Sequence, residues 1–335
     1  MQNVQIPSIQ TAFIGDAILA SACIEELHKS HPTASIDFLV RKGNEQLFEH
    51  HPFLNKVLIW NKQEHKLHHF FITLQRIRKE KYTHVINIHR YTSSGLFTVL
   101  SGAKETIGFD KNPLSFLFTK KIKHRISAYG DTQWIHETER NHELIAAITS
   151  LDVQRPKLYP SEQDYAKVAA YKNQPYICIA PSSVWFTKQF PVAKWIDFVK
   201  TVPKHFTIYL LGGKGDHALA ESIAEHAKGN CVNLCGTLSL LASAALMQDA
   251  FMNYVNDSGP LHLCSATNAP TRAIFCSTQA NFGFGPLSTD SKIIAYKEHL
   301  ACKPCGLHGK KECPKAHFTC ALGIDINELS ECLTA

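Results

Sequence analysis

An aspartate in the segment FIGDAILAS, residues 13–21, is the first candidate for chemistry in the chain. Gly15 permits a tight turn between a strand and a helix, and Asp16 stands where that helix begins. The carboxylate of Asp16 could cap free backbone amides of the helix. At the edge of a cleft, the same carboxylate could take a proton from an attacking hydroxyl as a general base. The sequence leaves both roles open.

A second polar loop, PSSVWFTKQFP at residues 181–191, follows an apolar run. Three of its residues carry hydroxyl groups and one carries an ammonium group: Ser182, Ser183, Thr187 and Lys188. Hydroxyl and amide donors bind the oxygens of a diphosphate, and a cation neutralises the charge that develops on a leaving group. The loop therefore predicts a diphosphate site, with a polar surface loop as the alternative.

The strongest local signal is NDSGPLH at residues 256–262, again directly after an apolar run. Asp257, Ser258 and Gly259 predict a strand-to-helix turn, and His262 lies in the first turn of the helix that follows. An anion bound there would meet free backbone amides and the positive end of the helix dipole. The pattern indicates recognition of a phosphate and a sugar, although the same residue types also form ordinary turns and caps.

Residues 210–221, LLGGKGDHALAE, place glycines after another apolar run, but without the GxGxxG spacing of a dinucleotide-binding loop. Asp216 in this segment could accept a hydrogen bond from a ribose hydroxyl or cap a helix. The chain contains no Asp-X-Asp pair, so we expect no metal-bridged diphosphate and no cofactor required for catalysis. Stabilisation of a leaving group would then depend on Lys188 and on helix ends.

Four cysteines lie close together in ACKPCGLHGKKECPKAHFTC, residues 301–320: Cys302, Cys305, Cys313 and Cys320. A CxxC pair followed by two further sulfur ligands is typical of a closed, tetrahedral structural zinc site. Free or redox-active thiols are the second possibility. A disulfide is the third, and a reducing compartment disfavours it. None of the three gives the cluster a catalytic role.

Apolar runs typical of strands alternate with helical patterns along the chain, as expected of parallel sheets covered by helices on both faces. The runs that predict strands are residues 36–40, 56–60, 84–88, 176–180, 206–213, 232–234, 251–255 and 271–275. In the first predicted helix the apolar residues form one stripe, whereas Glu25 and Glu26 are expected on another face. The candidate residues follow strand ends, where open parallel sheets bind ligands.

Two domains are expected from 335 residues. The stretch at residues 151–163 carries two prolines and little periodicity, which is typical of an interdomain linker. We therefore predict an α/β fold with two Rossmann-like, doubly wound parallel-sheet domains that face a cleft. The first domain is predicted at residues 1–159. The second is predicted at residues 160–335, with a Cys-rich loop at residues 302–320.

The composition is that of a globular protein, with 44% hydrophobic and 19% charged residues. No segment approaches the roughly 18 apolar residues that cross a bilayer. The first residues lack the basic start and apolar core of a signal peptide, so we expect a soluble protein of the cytosol. The net charge of +6 favours anionic ligands, anionic lipid surfaces or nucleic acid without choosing among them.

Four segments, in this order and spacing, resemble the ADP-heptose:lipopolysaccharide heptosyltransferase family, glycosyltransferase family 9: IQTAFIGDAILAS, PSSVWFTKQFP, NLCGTLSLLASAALM and NDSGPLHLCSA. The resemblance covers nearly the whole chain. It implies the GT-B architecture, with an N-terminal acceptor-binding domain and a C-terminal nucleotide-sugar-binding domain. It also implies transfer of a heptose, with inversion, from ADP-heptose to the lipopolysaccharide core.

The resemblance assigns roles to individual positions. Asp16 matches the proposed catalytic base, and Lys188 would stabilise the departing ADP. With Thr187 added from the loop itself, the predicted donor-binding residues are Ser182, Ser183, Thr187, Lys188, Asp216, Leu238, Asp257, Ser258, Gly259 and His262. Among them, Leu238 resembles the position that meets the adenine, and Asp216 falls near an acidic ribose-binding position.

The acceptor of this family bears carboxylated Kdo sugars on lipid A, at the cytosolic leaflet of the inner membrane. The N-terminal domain should therefore present cations. The predicted acceptor-binding residues are Arg90, Lys104, Lys120 and Arg140, with the basic runs at residues 76–81 and 120–125 as further candidates. Together the cations favour a reversible, peripheral contact with the membrane surface. We expect no nucleic-acid partner.

The chain departs from the family pattern at two places. Pro7 and the polar Gln10 lie in the first strand, which predicts a shortened edge of the first sheet. Cys276 stands where the family commonly has glycine, so the shape of that loop should differ. Neither departure removes a proposed catalytic group.

Two other functions compete with this interpretation. A nucleotide-sugar transferase of the same fold could act on another surface glycan. A zinc-bearing, mildly basic nucleic-acid-binding protein would carry basic residues interleaved with aromatic residues around the cysteines. Only Phe318 and a few lysines lie there.

Overall fold

The structure is a computed structural model that describes residues 5–127, 134–149, 151–227 and 230–333. The chain forms two compact units. The first unit comprises residues 1–126 and 135–159, and the second comprises residues 127–134 and 160–335. Each unit is built around one six-stranded sheet in which all recorded strand pairs are parallel.

The first unit alternates strands and helices. Its elements are β1 (Gln5–Gln10), α1 (Ile14–Ser30), β2 (Ser35–Arg41), β3 (Lys56–Trp60), α2 (Lys66–Lys79), β4 (His84–Asn87), α3 (Thr92–Leu100), β5 (Glu105–Phe109), β6 (Lys120–Ile122) and α4 (Glu137–Ile145). Short 3-10 turns lie at Glu45–Leu47 and Ser115–Leu117. The strands are arranged in the order β3-β2-β1-β4-β5-β6.

The second unit repeats this scheme. Its elements are α5 (Glu162–Val168), β7 (Tyr176–Ala180), α6 (Val192–Thr201), β8 (Thr207–Leu210), α7 (His217–Ala224), β9 (Cys231–Asn233), α8 (Leu240–Gln248), β10 (Met252–Asn256), α9 (Gly259–Thr267), β11 (Thr271–Phe275), β12 (Ser291–Ala295), α10 (Thr319–Leu322) and α11 (Asn327–Ser330). The strands are arranged in the order β12-β11-β10-β7-β8-β9.

Both sheets have the strand order of Rossmann folds, in which the first and fourth strands of a unit are neighbours. The connections from these two strands leave the sheet in opposite directions, so a crevice opens at their carboxyl ends. In the first unit the crevice lies beyond β1 and β4, and in the second unit it lies beyond β7 and β10. The predicted pair of doubly wound parallel sheets is confirmed.

Most strands were predicted from apolar runs. Three predicted strands, at residues 56–60, 176–180 and 271–275, match the structure residue for residue, and the others differ only at their ends. The sequence did not predict β5, β6 or β12. The edge strand β6 is three residues long and begins with two lysines, so it has no apolar run to recognise.

Pro7 does not shorten the edge of the first sheet, as the sequence had suggested, because β1 lies in the middle of the sheet. Proline has no backbone N–H to donate. Along β1, pairing with β2 covers all six residues, whereas pairing with β4 is recorded only at Ser8 and Ile9. Gln5, on the same side as Pro7, donates its N–H to Thr83 Oγ1 at 3.1 Å. The backbone hydrogen bond that Pro7 cannot donate is therefore missing within the sheet, on the side of β1 that faces β4.

Helix α1 is buried on both sides, so that Glu25 and Glu26, which the sequence places on a different face from the apolar stripe, are buried as well. Both side chains are at most 1% exposed. Glu26 accepts the N–H of Gln154 and lies 2.6 Å from His142 Nδ1, and Glu25 accepts the hydroxyl of Tyr159 at 2.7 Å. The last residues of the first unit and α4 therefore cover the face of α1 that carries the two glutamates.

In the second unit, apolar side chains of α6 pack on the sheet. Trp195 and Phe198 are fully buried, and Phe198 lies against the ring of Tyr254 at a centroid distance of 4.6 Å. Such close packing fixes the sheet whose strand ends carry the polar loops. None of the described helices is long and apolar enough to cross a bilayer.

Candidate active site

Asp16 is the third residue of α1, just beyond the carboxyl end of β1. Phe13 is the N-cap residue, and its side chain makes no capping bond. The backbone N–H groups of Phe13 and of Asp16 itself face its carboxylate and lower its pKa. The third residue of a helix can reach back to the helix start in this way. The predicted capping role of Asp16 stays a prediction.

The environment of Asp16 keeps its carboxyl group ready to exchange a proton. Burial, and after it the charge of Glu137, raise the pKa of Asp16 from 3.8 to about 6, while Arg90 and the two backbone N–H groups act in the opposite direction. A general base works best when its pKa lies near the working pH. At neutral pH this carboxylate is mostly ionised and still basic enough to accept a proton.

The carboxyl edge of the first sheet carries positive charge around Asp16. Arg90 follows β4 and interacts with the charge of Asp16. Arg41 ends β2 and lies over the ring of Phe13, 5.4 Å from its centroid. Lys62 follows β3 and donates to Thr11 O at 2.5 Å. Burial, and after it the charges of Arg41 and Lys66, lower the pKa of Lys62 to about 8. This edge can therefore bind an anion beside Asp16.

The sequence had singled out Arg90 but missed Arg41 and Lys62. A usable signal was present, because each follows a predicted strand by one or two residues. His89 was also missed. Its Nδ1 lies 3.1 Å from Thr11 Oγ1, and burial lowers its pKa to about 3, so the ring is neutral.

Among the other predicted acceptor residues, Arg140 pairs with Glu137, whose charge acts on Asp16, and the lysines lie elsewhere. Arg140 is 1% exposed and donates from Nε and Nη2 to Glu137 Oε2, at 2.9 and 2.6 Å. Its charge is engaged in a buried pair. Lys104 precedes β5, and the basic run at residues 76–81 lies at the end of α2, so both lie at the opposite edge of the sheet from Asp16. Lys120 is exposed at the start of β6.

In the second unit, an ion pair joins two loops that the sequence had treated separately. Lys188 Nζ lies 2.8 Å from Asp257 Oδ2, and both side chains are mostly buried. The loops meet because β7 and β10 are neighbours. Asp257 Oδ2 also accepts the hydroxyl of Thr278 at 2.6 Å. Lys188 is therefore held at the crevice of this sheet by a fixed carboxylate.

Asn256, the last residue of β10, fastens the loop that carries Lys188. Its Oδ1 accepts the N–H of Phe190 at 2.9 Å, and its Nδ2 donates to Pro181 O at 2.8 Å. These two bonds hold both ends of the loop. Asn256 was not predicted from the sequence, although an amide side chain that ends an apolar strand is a recognisable signal.

Helix α9 begins at Gly259 with Ser258 as its N-cap, and no side chain caps its first turn. His262 is 4% exposed, and burial, together with the charge of Lys188, lowers its pKa to about 3. Within the described residues, Nδ1 of this neutral ring has no hydrogen-bond partner. A buried polar atom without a partner is costly. The atom is therefore available to a ligand at this end of α9.

Thr187, which was predicted to bind the donor, makes its side-chain hydrogen bonds within the protein. It is 1% exposed, and its Oγ1 accepts the N–H of Lys310 at 2.8 Å and the hydroxyl of Ser277 at 2.9 Å. Thr187 therefore ties its loop to the Cys-rich segment. Ser182 and Ser183 are partly exposed at the crevice.

The remaining predicted residues follow neighbouring strands of the same sheet. Asp216 lies after β8, where its Oδ2 accepts the N–H of Gly213 at 2.8 Å. Leu238 is partly exposed in the connection between β9 and α8. Both therefore lie at the carboxyl edge that also carries Lys188. Their contacts with a nucleotide remain predictions.

A model of glycosyltransferase family 9 (heptosyltransferase) matches residues 71–316 of this chain. The chain belongs to this family. It is therefore a glycosyltransferase, and the resemblance drawn from the four loop motifs is confirmed.

Individual relatives of this family 9 glycosyltransferase agree. Lipopolysaccharide heptosyltransferase 3 of Escherichia coli is 25% identical over 289 residues, which are 81% of this chain and 83% of that protein. The structure of ADP-heptose LPS heptosyltransferase II of Escherichia coli superposes with a TM-score of 0.76, at 17% identity and 99% coverage of both chains. A family 9 glycosyltransferase of Veillonella parvula also gives 0.76, at 18% identity, with 88% of this chain and 87% of that chain covered. The two structures share the fold.

The Cys-rich segment of this family 9 glycosyltransferase packs on the loop of Lys188. Cys305 donates its N–H to Ser277 O at 2.8 Å. Gly309 has a φ of +78°, and a Cβ atom there would lie 2.8 Å from Lys188 Cγ. Only glycine adopts this conformation without strain and also leaves room for the lysine. The segment therefore supports the stem of Lys188. Cys276, at the departure noted above, is fully buried in the core.

The cysteines of this segment are free thiols in the structure, and among the described residues, which include all eleven cysteines, no disulfide forms. Among the described residues, which include the four cysteines, no three His, Cys, Asp or Glu side chains form a group that could hold a metal ion. Cys302 Sγ lies 3.6 Å from His317 Nε2. Burial, followed by the charges of Cys302 and Cys313, raises the pKa of Cys305. The structural zinc site stays a prediction.

Metal analysis of the purified chain tests that prediction. If zinc folds the segment, elemental analysis should find about one zinc ion per chain. The double substitution of Cys302→Ser with Cys305→Ser should remove the metal and lower the melting temperature. Cys231→Ser, outside the segment, is the control and should retain it. A metal-free chain whose four thiols all react with a thiol reagent would support the free-thiol alternative.

Proposed function

We propose that this family 9 glycosyltransferase transfers a heptose, with inversion, from ADP-heptose to the lipopolysaccharide core. The first unit would bind the acceptor, and the second would bind the donor nucleotide. Two Escherichia coli relatives, a lipopolysaccharide heptosyltransferase and an ADP-heptose LPS heptosyltransferase, support this choice of substrates.

The observation that carries the proposal is the position of Asp16, in the first turn of α1 just beyond the carboxyl end of β1 and within the field of Arg90, where its pKa is raised to about 6. In the proposed reaction the acceptor hydroxyl attacks the anomeric carbon from the side opposite the phosphate. A new carbon–oxygen bond forms, the bond to the diphosphate breaks, and ADP leaves with the bonding electrons. The proton of the attacking hydroxyl passes to the carboxylate of Asp16. A single displacement of this kind inverts the anomeric configuration.

The departing diphosphate needs positive charge, and Lys188 supplies it. Asp257, 2.8 Å from Lys188 Nζ, holds the ammonium in place before the donor arrives. The first turn of α9, which no side chain caps, offers backbone donors and a positive dipole end to a phosphate. The unpartnered Nδ1 of the neutral His262 gives one further hydrogen bond to a phosphate or a sugar oxygen. These groups would stabilise ADP as its bond breaks.

The acceptor would carry negative charge. Arg41, Lys62 and Arg90 at the edge around Asp16 suit the carboxylates of Kdo sugars on lipid A. The burial that lowers the pKa of Lys62 leaves this ammonium without sufficient counter-charge, and an acceptor carboxylate would provide it. Such an acceptor lies at the cytosolic surface of the inner membrane, where the enzyme would work as a peripheral protein.

The nucleotide of the donor is tested by thermal unfolding with a panel of nucleotides. ADP at about 100 times its dissociation constant should stabilise the chain by about 2.7 kcal/mol. UDP and GDP at the same concentration should shift the melting temperature little. Lys188→Ala should abolish the effect of ADP. Stabilisation by UDP alone would favour the alternative, a transferase of the same fold that acts on another surface glycan with another nucleotide sugar.

Asp16→Asn should lower kcat by about 100-fold or more, because the amide cannot accept the proton. In the parent, kcat/KM should fall about tenfold per pH unit below pH 6, since the raised pKa protonates Asp16 there, and should level off above about pH 7. Asp16→Asn should remove this inflection. Glu64→Gln, at an exposed carboxylate after β3, is the control. Activity of Asp16→Asn within a few-fold of the parent, with donor binding intact, would refute the assignment.

Gly309→Ala tests the support of Lys188, with Gly306→Ala as its matched control. Both glycines have positive φ, so alanine should cost each about 1–2 kcal/mol of stability. Only at Gly309 does the added Cβ meet Lys188, whereas at Gly306 it meets nothing within 4 Å. Gly309→Ala alone should therefore raise the donor KM, by about tenfold. Equal KM values in the two variants would show that the segment does not position Lys188.

A further inference from the structure

Large apolar side chains are exposed at one edge of the first sheet. Six of them are more than half exposed: Phe13, Leu67, Phe71, Tyr91, Phe116 and Leu117. The first four follow β1, β3 and β4, either directly or in the first two turns of the next helix, whereas Phe116 and Leu117 lie in the short 3-10 turn of the connection from β5 to β6. Because these strands are parallel, their carboxyl ends meet at the same edge. Exposed apolar residues that gather in this way mark an interaction surface.

The turns that carry these side chains are held in place. Phe70 of α2 packs on Phe97 of α3 at a centroid distance of 4.5 Å, which joins the two helices. Asn112 Nδ2 donates to Tyr91 O at 3.0 Å and to His89 O at 3.1 Å, which ties the turn of Phe116 to the start of α3. The apolar side chains are therefore presented on a firm support.

Cations accompany the apolar side chains at this edge. Those within a few residues of the strand ends are Arg41, Lys42, Lys62, Lys66, Arg90, Lys111 and Lys123. Fewer carboxylates occupy the same stretches, namely Asp16, Glu45, Glu64 and Asp110. An edge that combines exposed apolar groups with excess positive charge is complementary to the surface of an anionic bilayer.

We propose that this edge docks the enzyme on an anionic lipid bilayer. The lipid-facing edge consists of Leu67, Phe71, Phe116 and Leu117, which enter the boundary between headgroups and acyl chains, and of Lys42 and Lys111, which meet lipid phosphates. This inference rests on the proposed function in one respect, since a lipid-borne acceptor has to be met at a membrane.

The position of Asp16 favours a bilayer over a second copy of the chain. Asp16 follows β1 at the same edge. A second protein seated on the lipid-facing edge would cover the approach to this carboxylate. A bilayer instead brings a lipid-linked acceptor to it, with the sugar projecting from the headgroups. The excess of lysine and arginine would also oppose self-association by charge repulsion.

The test is sedimentation of the full chain with vesicles of phosphatidylcholine alone, or with about a third of the lipid replaced by phosphatidylglycerol, at roughly 0.1 M salt. We expect binding to the anionic vesicles, weakened by added salt. Two variants address the two components of the surface. The first combines Leu67→Ser, Phe116→Ser and Leu117→Ser, and the second combines Lys42→Glu and Lys111→Glu.

Matched controls lie away from the lipid-facing edge. Arg76→Glu with Arg78→Glu reverses two exposed charges at the opposite edge of the same sheet, and Leu322→Ser removes an exposed leucine of the second unit. Each edge variant should lose vesicle affinity by about tenfold or more, with the controls within about twofold of the parent. Unchanged melting temperatures would show that the variants fold.

Several outcomes would overturn the proposal. These are failure of the parent to bind anionic vesicles, parent-like binding by both edge variants, or a dimer in solution that the triple apolar substitution dissociates. A separate assay uses a delipidated, water-soluble acceptor, on which the edge variants should keep the parent rate. Vesicle binding without any transfer from ADP-heptose would contradict the proposed function and leave the lipid-facing edge intact. Transfer from ADP-heptose without vesicle binding would contradict the lipid-facing edge and leave the proposed function intact.

Discussion

The reversal of strand order between two neighbouring parallel strands is the constraint on which each candidate site depends. In the second unit it brings the loop after β7 against the loop after β10. Lys188 Nζ and Asp257 Oδ2 therefore lie 2.8 Å apart, although 68 residues lie between them in the chain. In the first unit the reversal at β1 and β4 brings Arg90 into the field of Asp16. Neither pairing is local in sequence, and both follow from the order of the strands.

Burial then sets the chemistry of these groups. Asp16 and His262 both lose hydration, but with opposite results, because burial disfavours whichever form is charged. The carboxyl group of Asp16 becomes a stronger base, and the imidazole of His262 becomes a weaker one. One site therefore gains a proton acceptor near neutral pH, and the other keeps a neutral ring next to a lysine. The same physical effect prepares the first unit to accept a proton and the second to bind an anion.

Sequence reasoning recovered the strands with continuous apolar runs and the polar loops that follow them, because both are local patterns. Burial and hydrogen-bond partners that depend on distant parts of the chain were not predicted. Glu25 and Glu26 have the polarity of surface residues, yet they are buried under residues more than a hundred positions away in the chain. Thr187 has the chemistry of a ligand-binding hydroxyl, yet the Cys-rich segment engages it. Arg41 and Lys62 follow predicted strands by one or two residues, a signal that places them at this edge but does not show that they lie near Asp16.

Hydrogen bonds from Gln154 and Tyr159 to α1 show that the predicted linker, residues 151–163, is part of the first unit as far as Tyr159. Up to Tyr159 these residues donate hydrogen bonds to the buried carboxyl groups of Glu25 and Glu26. They therefore form part of the core of the first unit. A flexible glycine-serine replacement of residues 154–159 would remove the Tyr159 hydroxyl that Glu25 accepts and would loosen the backbone whose N–H at residue 154 bonds Glu26, and buried carboxyl groups without donors are costly. Evolution of this connector should therefore be as restricted as that of a core strand, and tolerance to insertions should begin only after Tyr159.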